Sequence, residues 1–169
     1  FAAGNGTNTD GNKNVTIGQG AYASSGTDVP VDDVVAIGSN SGSTQTDGVA
    51  IGHDSSVDGE QGVAVGHLSN ADGERSVALG AGTQATGSHA TATGANANAA
   101  GGDSTANGYL AQALLFDSTA TGAQAQANKA YSTVNGAQSN ANGVYDTVIG
   151  AGNNTAAGSN NTVLGNNID

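Results

Sequence analysis

The stretch Ser76-Val77-Ala78-Leu79-Gly80 is one copy of a short segment that returns along the whole chain. An earlier copy is Gly62-Val63-Ala64-Val65-Gly66, and the next copy is Ala90-Thr91-Ala92-Thr93-Gly94. The glycines that close the copies stand at positions 4, 18, 38, 52, 66, 80, 94, 108, 122, 136, 150 and 165, so nine of the eleven intervals are 14 residues. A fixed period this short predicts a solenoid in which each repeat forms one coil.

The composition of the chain narrows its function classes. The 169 residues include no cysteine, only 3 Lys and Arg, and 14 Asp and Glu, for a net charge of −11. A chain with so few basic residues cannot neutralise a phosphate backbone, so we expect no nucleic-acid partner. No apolar run approaches the roughly 20 residues of a membrane span, so we expect no membrane insertion. Because the repeat runs without a linker, we expect residues 1–169 to be a single domain, and because Phe1-Ala2-Ala3-Gly4 already fits the end of a repeat, we expect the chain to be a segment of a longer protein.

The alternation of side chains along a strand divides each segment into two faces. Ala78 occupies the central position, and Val77 and Leu79 occupy the two flanking positions. We expect the large flanking residues to face the interior of the coil and the central alanine to face outward. A second short strand should follow each closing glycine, with small residues such as Ala71 facing inward. A recurrent glycine at the next corner, such as Gly73, should provide a positive φ angle.

A coil of this size buries little apolar surface, so a single solenoid would be marginally stable. A row of outward alanines would allow a second chain to approach closely, and a closed cyclic oligomer is the expected form of association. The candidate subunit interface is therefore the row of central alanines Ala36, Ala50, Ala64, Ala78 and Ala92.

The motif from Ser76 to Gly80 with Thr83 three residues later, and the equivalent serines at 41, 55 and 69, resembles the repeat of YadA-like head domains. These domains belong to trimeric autotransporter adhesins of Gram-negative bacteria. The resemblance covers about residues 1–165. It implies an all-β, left-handed parallel β-roll of 14-residue, two-strand coils, with three chains around one axis. It also implies a non-enzymatic adhesive head, without cofactors, on the outer membrane at the bacterial cell surface. The implied partners are the other two chains and a host matrix protein, receptor, cell or surface.

Two other functions remain open on the sequence. From residue 91 to residue 135 the flanking positions become polar, with Thr91 and Thr93 in the first of these coils. We expect these side chains to face inward and to hydrogen-bond along the solenoid. The alternative is that they face outward, as in an ice-binding solenoid. A passive spacer that only projects another domain is the third possibility.

Like residues stack in neighbouring coils and suggest cation sites. Asp58 should lie over Asp72, and Glu60 over Glu74, which would bring together four carboxylates of the kind that calcium prefers. His53 should likewise lie over His67. We expect a solvated acidic edge and repeated surface histidines, and therefore no metal, cofactor or catalytic residues.

One coil departs from the polar pattern of its neighbours. The corner after Gly108 carries three large apolar residues, and aromatic residues return one and two coils later, in a chain with 4% aromatic residues. An exposed apolar cluster usually marks a contact surface. The candidate ligand contact is therefore Leu114, Leu115, Phe116, Tyr131 and Tyr145. The alternatives are that it packs against its own or a neighbouring chain, or that it has no role.

The interval between Gly18 and Gly38 holds six extra residues, around 26–33. Pro30 cannot donate a hydrogen bond to a strand ladder, so we expect an excursion at a corner. A tolerated surface loop and a contact with a partner both remain open for it.

Overall fold

The computed structural model describes residues 1–27 and 29–168, and within them the regular structure consists of short strands. In chain order these are β1 (Ala2–Ala3), β2 (Asn8–Thr9), β3 (Val15–Ile17), β4 (Tyr22–Ala23), β5 (Val35–Ile37), β6 (Gly42–Ser43), β7 (Val49–Ile51), β8 (Ser56–Val57), β9 (Val63–Val65), β10 (Asn70–Ala71), β11 (Val77–Leu79), β12 (Gln84–Ala85), β13 (Thr91–Thr93), β14 (Asn98–Ala99), β15 (Thr105–Asn107), β16 (Gln112–Ala113), β17 (Thr119–Thr121), β18 (Gln126–Ala127), β19 (Thr133–Asn135), β20 (Asn140–Ala141), β21 (Thr147–Ile149) and β22 (Thr162–Leu164).

The strands form two parallel sheets that together make a β-solenoid. One sheet has 12 strands, the odd-numbered ones followed by β22, and the other has the 10 even-numbered strands from β2 to β20. Each strand pairs with the equivalent strand of the next coil, so Ala78 is in register with Ala64 on one side and Ala92 on the other. The predicted all-β parallel solenoid of two-strand coils is therefore confirmed.

In most coils, the side chains that fill the interior of the solenoid are all small. The central alanines of the 12-stranded sheet, such as Ala64 and Ala78, are fully buried. Ala71 in the 10-stranded sheet, and Ser69 just before its strand, are buried opposite them, as predicted. The flanking residues lie on the outer face, where Val77 is half-buried and Leu79 is 37% exposed. The expectation that the large flanking residues fill the interior is therefore wrong.

The physical reason for the reversal is the narrow interior of the coil. A three-residue strand, a turn of a few residues and a two-residue strand bring the two sheets so close that alanine and serine fill the space between them. The central alanines proposed as the subunit interface, Ala36, Ala50, Ala64, Ala78 and Ala92, are all 0% exposed within their own chain. Because they are covered by their own chain, they offer no surface to a neighbouring one, and the prediction for these residues is wrong.

Two recurrent glycines are required for different reasons. Gly66 closes a segment with a φ angle of 138°, a conformation that residues with a β-carbon rarely adopt. Gly73, at the opposite corner, does not have a positive φ angle, and the reason we predicted for it is wrong. A β-carbon there would overlap the carbonyl oxygen of Gly87 in the next coil. Close stacking on Gly87, and not the turn conformation, leaves no room for a side chain at Gly73.

The longer interval in the third coil forms an excursion at a corner, as the sequence predicts. Its base is buried, since Val31 and Val34 pack with Ala23 and Ala36. Its tip is closed by the hydroxyl of Ser25, which donates to the carbonyl of Val29 at 2.8 Å. Asp28 belongs to this predicted excursion but lies outside the described residues.

Candidate binding site

Three aromatic side chains form a column on one corner of the solenoid. The rings of Phe116 and Tyr131 meet edge to face, with centroids 5.8 Å apart and an interplanar angle of 76°. The rings of Tyr131 and Tyr145 stack at 4.9 Å with an interplanar angle of 13°. The three side chains are 47%, 43% and 55% exposed. We call these residues the aromatic column, and their predicted proximity is confirmed.

The coil geometry positions the column. Tyr131 and Tyr145 occupy the same turn position in successive coils, with φ angles of 58° and 61°. In the preceding coils this left-handed position holds Asp103 and Asp117, a residue type that tolerates it better than tyrosine does. Phe116 lies beside Gly102 of the preceding coil, where a β-carbon would come within 3.3 Å of its ring. A glycine in one coil therefore leaves room for the ring in the next.

The two leucines of the predicted cluster lie in the same turn as Phe116. Leu115 is 44% exposed and Leu114 is half-buried. Leu115 stands where most coils have glycine, and its carbonyl accepts a hydrogen bond from the hydroxyl of Ser118. The ring contacts of the column do not extend to these leucines, which adjoin the column in sequence and widen the apolar turn. A fourth exposed aromatic residue, Tyr109, lies at a different turn position and is 54% exposed.

A second surface is the outer row of flanking side chains on the 12-stranded sheet, which we call the flank strip. In the odd-numbered strands β5, β7, β9 and β11, every residue of the strip is Val, Ile or Leu: Val35, Ile37, Val49, Ile51, Val63, Val65, Val77 and Leu79. These side chains stack in register at the spacing of adjacent strands, roughly 4.8 Å. A continuous apolar row of this length on an outer face is typical of a surface that contacts another chain.

In the odd-numbered strands β13, β15, β17 and β19 the flank strip is polar. Its residues there are Thr91, Thr93, Thr105, Asn107, Thr119, Thr121, Thr133 and Asn135, and they are half-buried or exposed. The expectation that these side chains face inward is wrong, for the same reason that the apolar flanking residues face outward. The interior behind them is unchanged, since the central residues Ala92, Ala106, Ala120 and Val134 are 0% exposed.

The sequence analysis missed a buried carboxylate near the end of the chain. Asp146 is 0% exposed and occupies the position that is serine in the three coils before it, at Ser104, Ser118 and Ser132. Burial alone would raise its pKa, but the side chain of Thr155 and donors of Asn161 and Gly143 hold the pKa below its usual value of 3.8. The backbone N–H of Gly143 donates to Asp146 Oδ2 at 2.8 Å, and that of Asn161 donates to Oδ1 at 2.9 Å. The carboxylate therefore ties the irregular last coil to the regular ones.

The predicted acidic edge brings two of its carboxylates together. Burial raises the pKa of Asp72, and the neighbouring Asp58 raises it further. The side-chain amide of Asn70 opposes these effects by donating to Asp72 Oδ2 at 3.0 Å. Asp58 also accepts a hydrogen bond from Thr44 Oγ1 at 2.8 Å. These contacts stabilise a solvated edge, and no grouping of three acidic side chains with metal-ligand spacing is found there among the residues the structure describes.

The comparisons with known proteins agree with the architecture of the coils. The family model described as the YadA head domain repeat matches residues 35–55, 58–83, 85–111 and 116–139. These ranges cover more than half of the chain and include both halves of the flank strip. None of the curated proteins matches the chain. No helix within residues 1–27 and 29–168 is long and apolar enough to cross a membrane.

The fold is also similar to that of a solved adhesin domain. The crystal structure of the collagen-binding domain of the Yersinia adhesin YadA aligns with a TM-score of 0.53 and 23% sequence identity. The alignment covers 90% of this chain and 80% of that one. At this identity the likeness establishes the solenoid fold, whereas the family model establishes the repeat itself.

Proposed function

This chain belongs to the YadA head domain repeat family, and from that premise we propose that it is the adhesive head of a trimeric adhesin on the bacterial cell surface. Family membership supports an adhesin-type function, which binds a partner and performs no chemical reaction on it. The proposed partner is an extracellular matrix protein, with a host receptor or another surface as the alternatives. The similar solved domain is described as collagen-binding, which makes collagen the first probe.

The apolar half of the flank strip supports assembly into a trimer through the 12-stranded sheet. The coil interior holds only small side chains, so each chain buries little apolar surface by itself. Burying a valine or isoleucine side chain contributes about 1.5–3 kcal/mol. Three copies of the strip meeting around one axis would remove them from water and add the core that the single solenoid lacks. In this proposal the flank strip, and not the row of central alanines, is the subunit interface.

The aromatic column is the observation that carries the proposed adhesive contact. Phe and Tyr provide large contact areas at low entropic cost, and binding hot spots are rich in aromatic residues. Three chains would present three columns, so a repetitive partner would bind by avidity. The net charge of −11 would steer a partner with a basic rim toward the surface.

The test is a binding measurement on immobilised collagen with the double variant Phe116→Ser and Tyr131→Ser. The matched control is Tyr109→Ser, which removes an exposed aromatic ring outside the column. We expect the double variant to lose at least tenfold in apparent affinity and the control to bind as the unmodified chain does. Light scattering and thermal melting of both variants check that they assemble and fold normally.

Each other outcome assigns the column a different role. If an assembled double variant binds collagen with unchanged affinity, the column is not the contact. If the double variant fails to assemble, the column belongs to the subunit interface, and the excursion at residues 26–33 is the next contact to test. If the unmodified chain does not bind collagen, the same variants are compared on other matrix proteins, host receptors and bare surfaces.

The outward threonines of the polar half favour a second candidate, an ice-binding solenoid. Thr91, Thr105 and Thr119 stack in register on the outer face, which is the geometry that this function requires. Asn107 and Asn135 interrupt the second row of the array. A measurable thermal hysteresis at millimolar concentration would support this candidate, and its absence with retained adhesion would exclude it. A chain that neither binds a partner nor shows hysteresis would be a passive spacer.

A further inference from the structure

Three potential metal-ligating side chains converge on one turn of the solenoid, away from the aromatic column. His53 and Asp54 form the turn between strands β7 and β8, and His67 begins the equivalent turn one coil later. One ligand atom from each of the three residues lies within 4.8 Å of the other two. Within the described part of the chain, this is the one grouping of three or more such residues with metal-ligand spacing.

The stacking of the coils forces the two imidazoles together. His53 and His67 each follow a closing glycine, so they occupy the same position in consecutive coils. Their ring centroids are 5.3 Å apart and their planes differ by 19°. The backbone holds this distance, because the N–H of Leu68 donates to the carbonyl of His53 at 3.0 Å. The backbone therefore keeps the two turns adjacent, and the two rings stack on each other.

Asp54 supplies the third group and is itself held in place. It adopts a φ angle of 54°, and its Oδ2 lies 2.9 Å from Nδ1 of His53. Its other carboxylate oxygen, Oδ1, accepts a hydrogen bond from the side-chain amide of Asn40 in the preceding coil at 3.0 Å. A carboxylate that contacts one nitrogen of an imidazole orients the ring and leaves the other nitrogen free to bind a metal. Four residues from three coils thus contribute to one site.

The chemistry of the donors selects the kind of ion. Neutral imidazole suits zinc, copper and nickel, whereas magnesium and calcium prefer oxygen ligands. The net charge of −11 raises the local concentration of any cation at the surface. His53 and His67 are exposed and Asp54 is half-buried, so an ion could enter directly and keep water in its remaining positions.

We propose that His53 and His67 bind a divalent late transition-metal ion at the surface, with Zn²⁺ as the ion they take, and that Asp54 orients the ring of His53 for it. The sequence alone favoured two repeated surface histidines. The difference is Asp54, whose carboxylate the turn directs toward His53. A bound ion would link two consecutive coils and stabilise their stacking. The site does not depend on the adhesive function, since it lies four coils from Phe116 along the solenoid.

The chain provides a matched control in His89. This histidine also lies beside a carboxylate, with Nδ1 3.2 Å from Oδ1 of Asp103. Its other nitrogen, however, lies 3.4 Å from Nη1 of Arg75, and it is not stacked on a second imidazole. A single His–Asp pair next to a guanidinium is a poor site for a cation. The variant His67→Asn therefore removes an exposed histidine that belongs to the proposed site, and His89→Asn removes an exposed histidine outside it.

The experiment is calorimetric titration of the protein, without a histidine tag, with Zn²⁺, and separately with Ca²⁺. We expect one Zn²⁺ per chain, at least tenfold weaker binding in His67→Asn, and unchanged binding in His89→Asn. Cu²⁺ bound in place of Zn²⁺ should show nitrogen coupling from two imidazoles in its electron paramagnetic resonance spectrum. Asp54→Asn should weaken Zn²⁺ binding less than His67→Asn does.

Three results would overturn the site. Equal Zn²⁺ affinity in the unmodified chain and in His67→Asn would place any bound ion elsewhere. Equal loss in His67→Asn and His89→Asn would show nonspecific binding to exposed histidines. Ca²⁺ displacing Zn²⁺ at similar concentration would indicate the acidic edge instead. Both histidines are exposed, so circular dichroism should show that the variants fold as the unmodified chain does.

Discussion

The two halves of the flank strip have the same backbone and opposite chemistry. The odd-numbered strands β5, β7, β9 and β11 present Val, Ile and Leu on the outer face. The odd-numbered strands β13, β15, β17 and β19 present Thr and Asn at the same positions. The interior does not change between them, because Ala64 in one half and Ala106 in the other are both 0% exposed. The pairing does not change either, since Leu79 is in register with Thr93 across the boundary.

This comparison separates what makes the coil from what makes the assembly. The glycines, the central alanines and the inward serines recur in both halves, so they are sufficient for the coil whatever the strip contains. The strip is then free to differ along the solenoid. Its apolar half provides a driving force for association through burial of apolar surface. In the polar half, threonine and asparagine would exchange hydrogen bonds to water for hydrogen bonds to another chain, which adds little to the free energy of association.

The largest expected effect comes from making the apolar half polar. In Val49→Asn with Val63→Asn, two stacked and already half-buried side chains per chain would lose about 1 kcal/mol each of the apolar burial that assembly adds, and an amide would enter the interface in their place, so we expect dissociation of the trimer. The matched variant, Thr105→Asn with Thr119→Asn, changes the same positions one coil apart in the polar half and should remain a trimer. Light scattering over a range of concentrations measures both. A trimer that survives the first pair of substitutions would show that the apolar half is not the interface.

An intermediate effect is expected from substitutions in the interior, which is the same in the two halves. Ala64→Leu and Ala106→Leu each insert a larger side chain into a filled interior, and overpacking of this kind typically costs about 1–3 kcal/mol of stability. The two losses should agree, because the interior is the same in both halves. Urea unfolding provides the free energies, with the outward substitution Thr105→Leu as the control that leaves the interior intact. A loss confined to one half would mean that the coils of the two halves differ in packing.

The coil could be predicted from the sequence, but its inside and outside could not. The period of the closing glycines determines the register, and stacked register predicts that Phe116, Tyr131 and Tyr145 lie together. Strand alternation, however, is equally satisfied by either choice of face. The usual preference for large side chains inside selected the wrong one, because the space between the two sheets is filled mostly by alanine and serine, with an occasional valine such as Val134. The recurrence of alanine at the central position in both halves, while its neighbours change from Val to Thr, was the available signal.

The metal-ligand grouping and the buried carboxylate show a second limit of the sequence. Stacking predicts that His53 lies over His67, since they share a position in consecutive coils. Asn40 and Asp54 also share a position, one that is left-handed in each coil and often Gly or Asn, but the contact of the Asp54 carboxylate with His53 is a side-chain orientation that the period does not reveal. Asp146 stands where other coils have serine, and its burial depends on donors from an irregular coil. Residues at repeated positions are therefore predictable from the period, and departures from it are not.

The smallest expected effect is a gain, from making the polar half apolar. Thr105→Val with Thr119→Val replaces each hydroxyl by a methyl group of similar size on the outer face, and the interior is untouched. If the polar half also lies against its copies around the axis, each substitution should stabilise the trimer by less than about 1 kcal/mol, near the value for one buried methylene. The melting temperature at fixed protein concentration measures the change, and Thr86→Val, on an exposed corner outside the strip, provides the control. Equal melting temperatures for the double variant and the unmodified chain would show that the polar half stays in water, and that only the apolar half joins the chains.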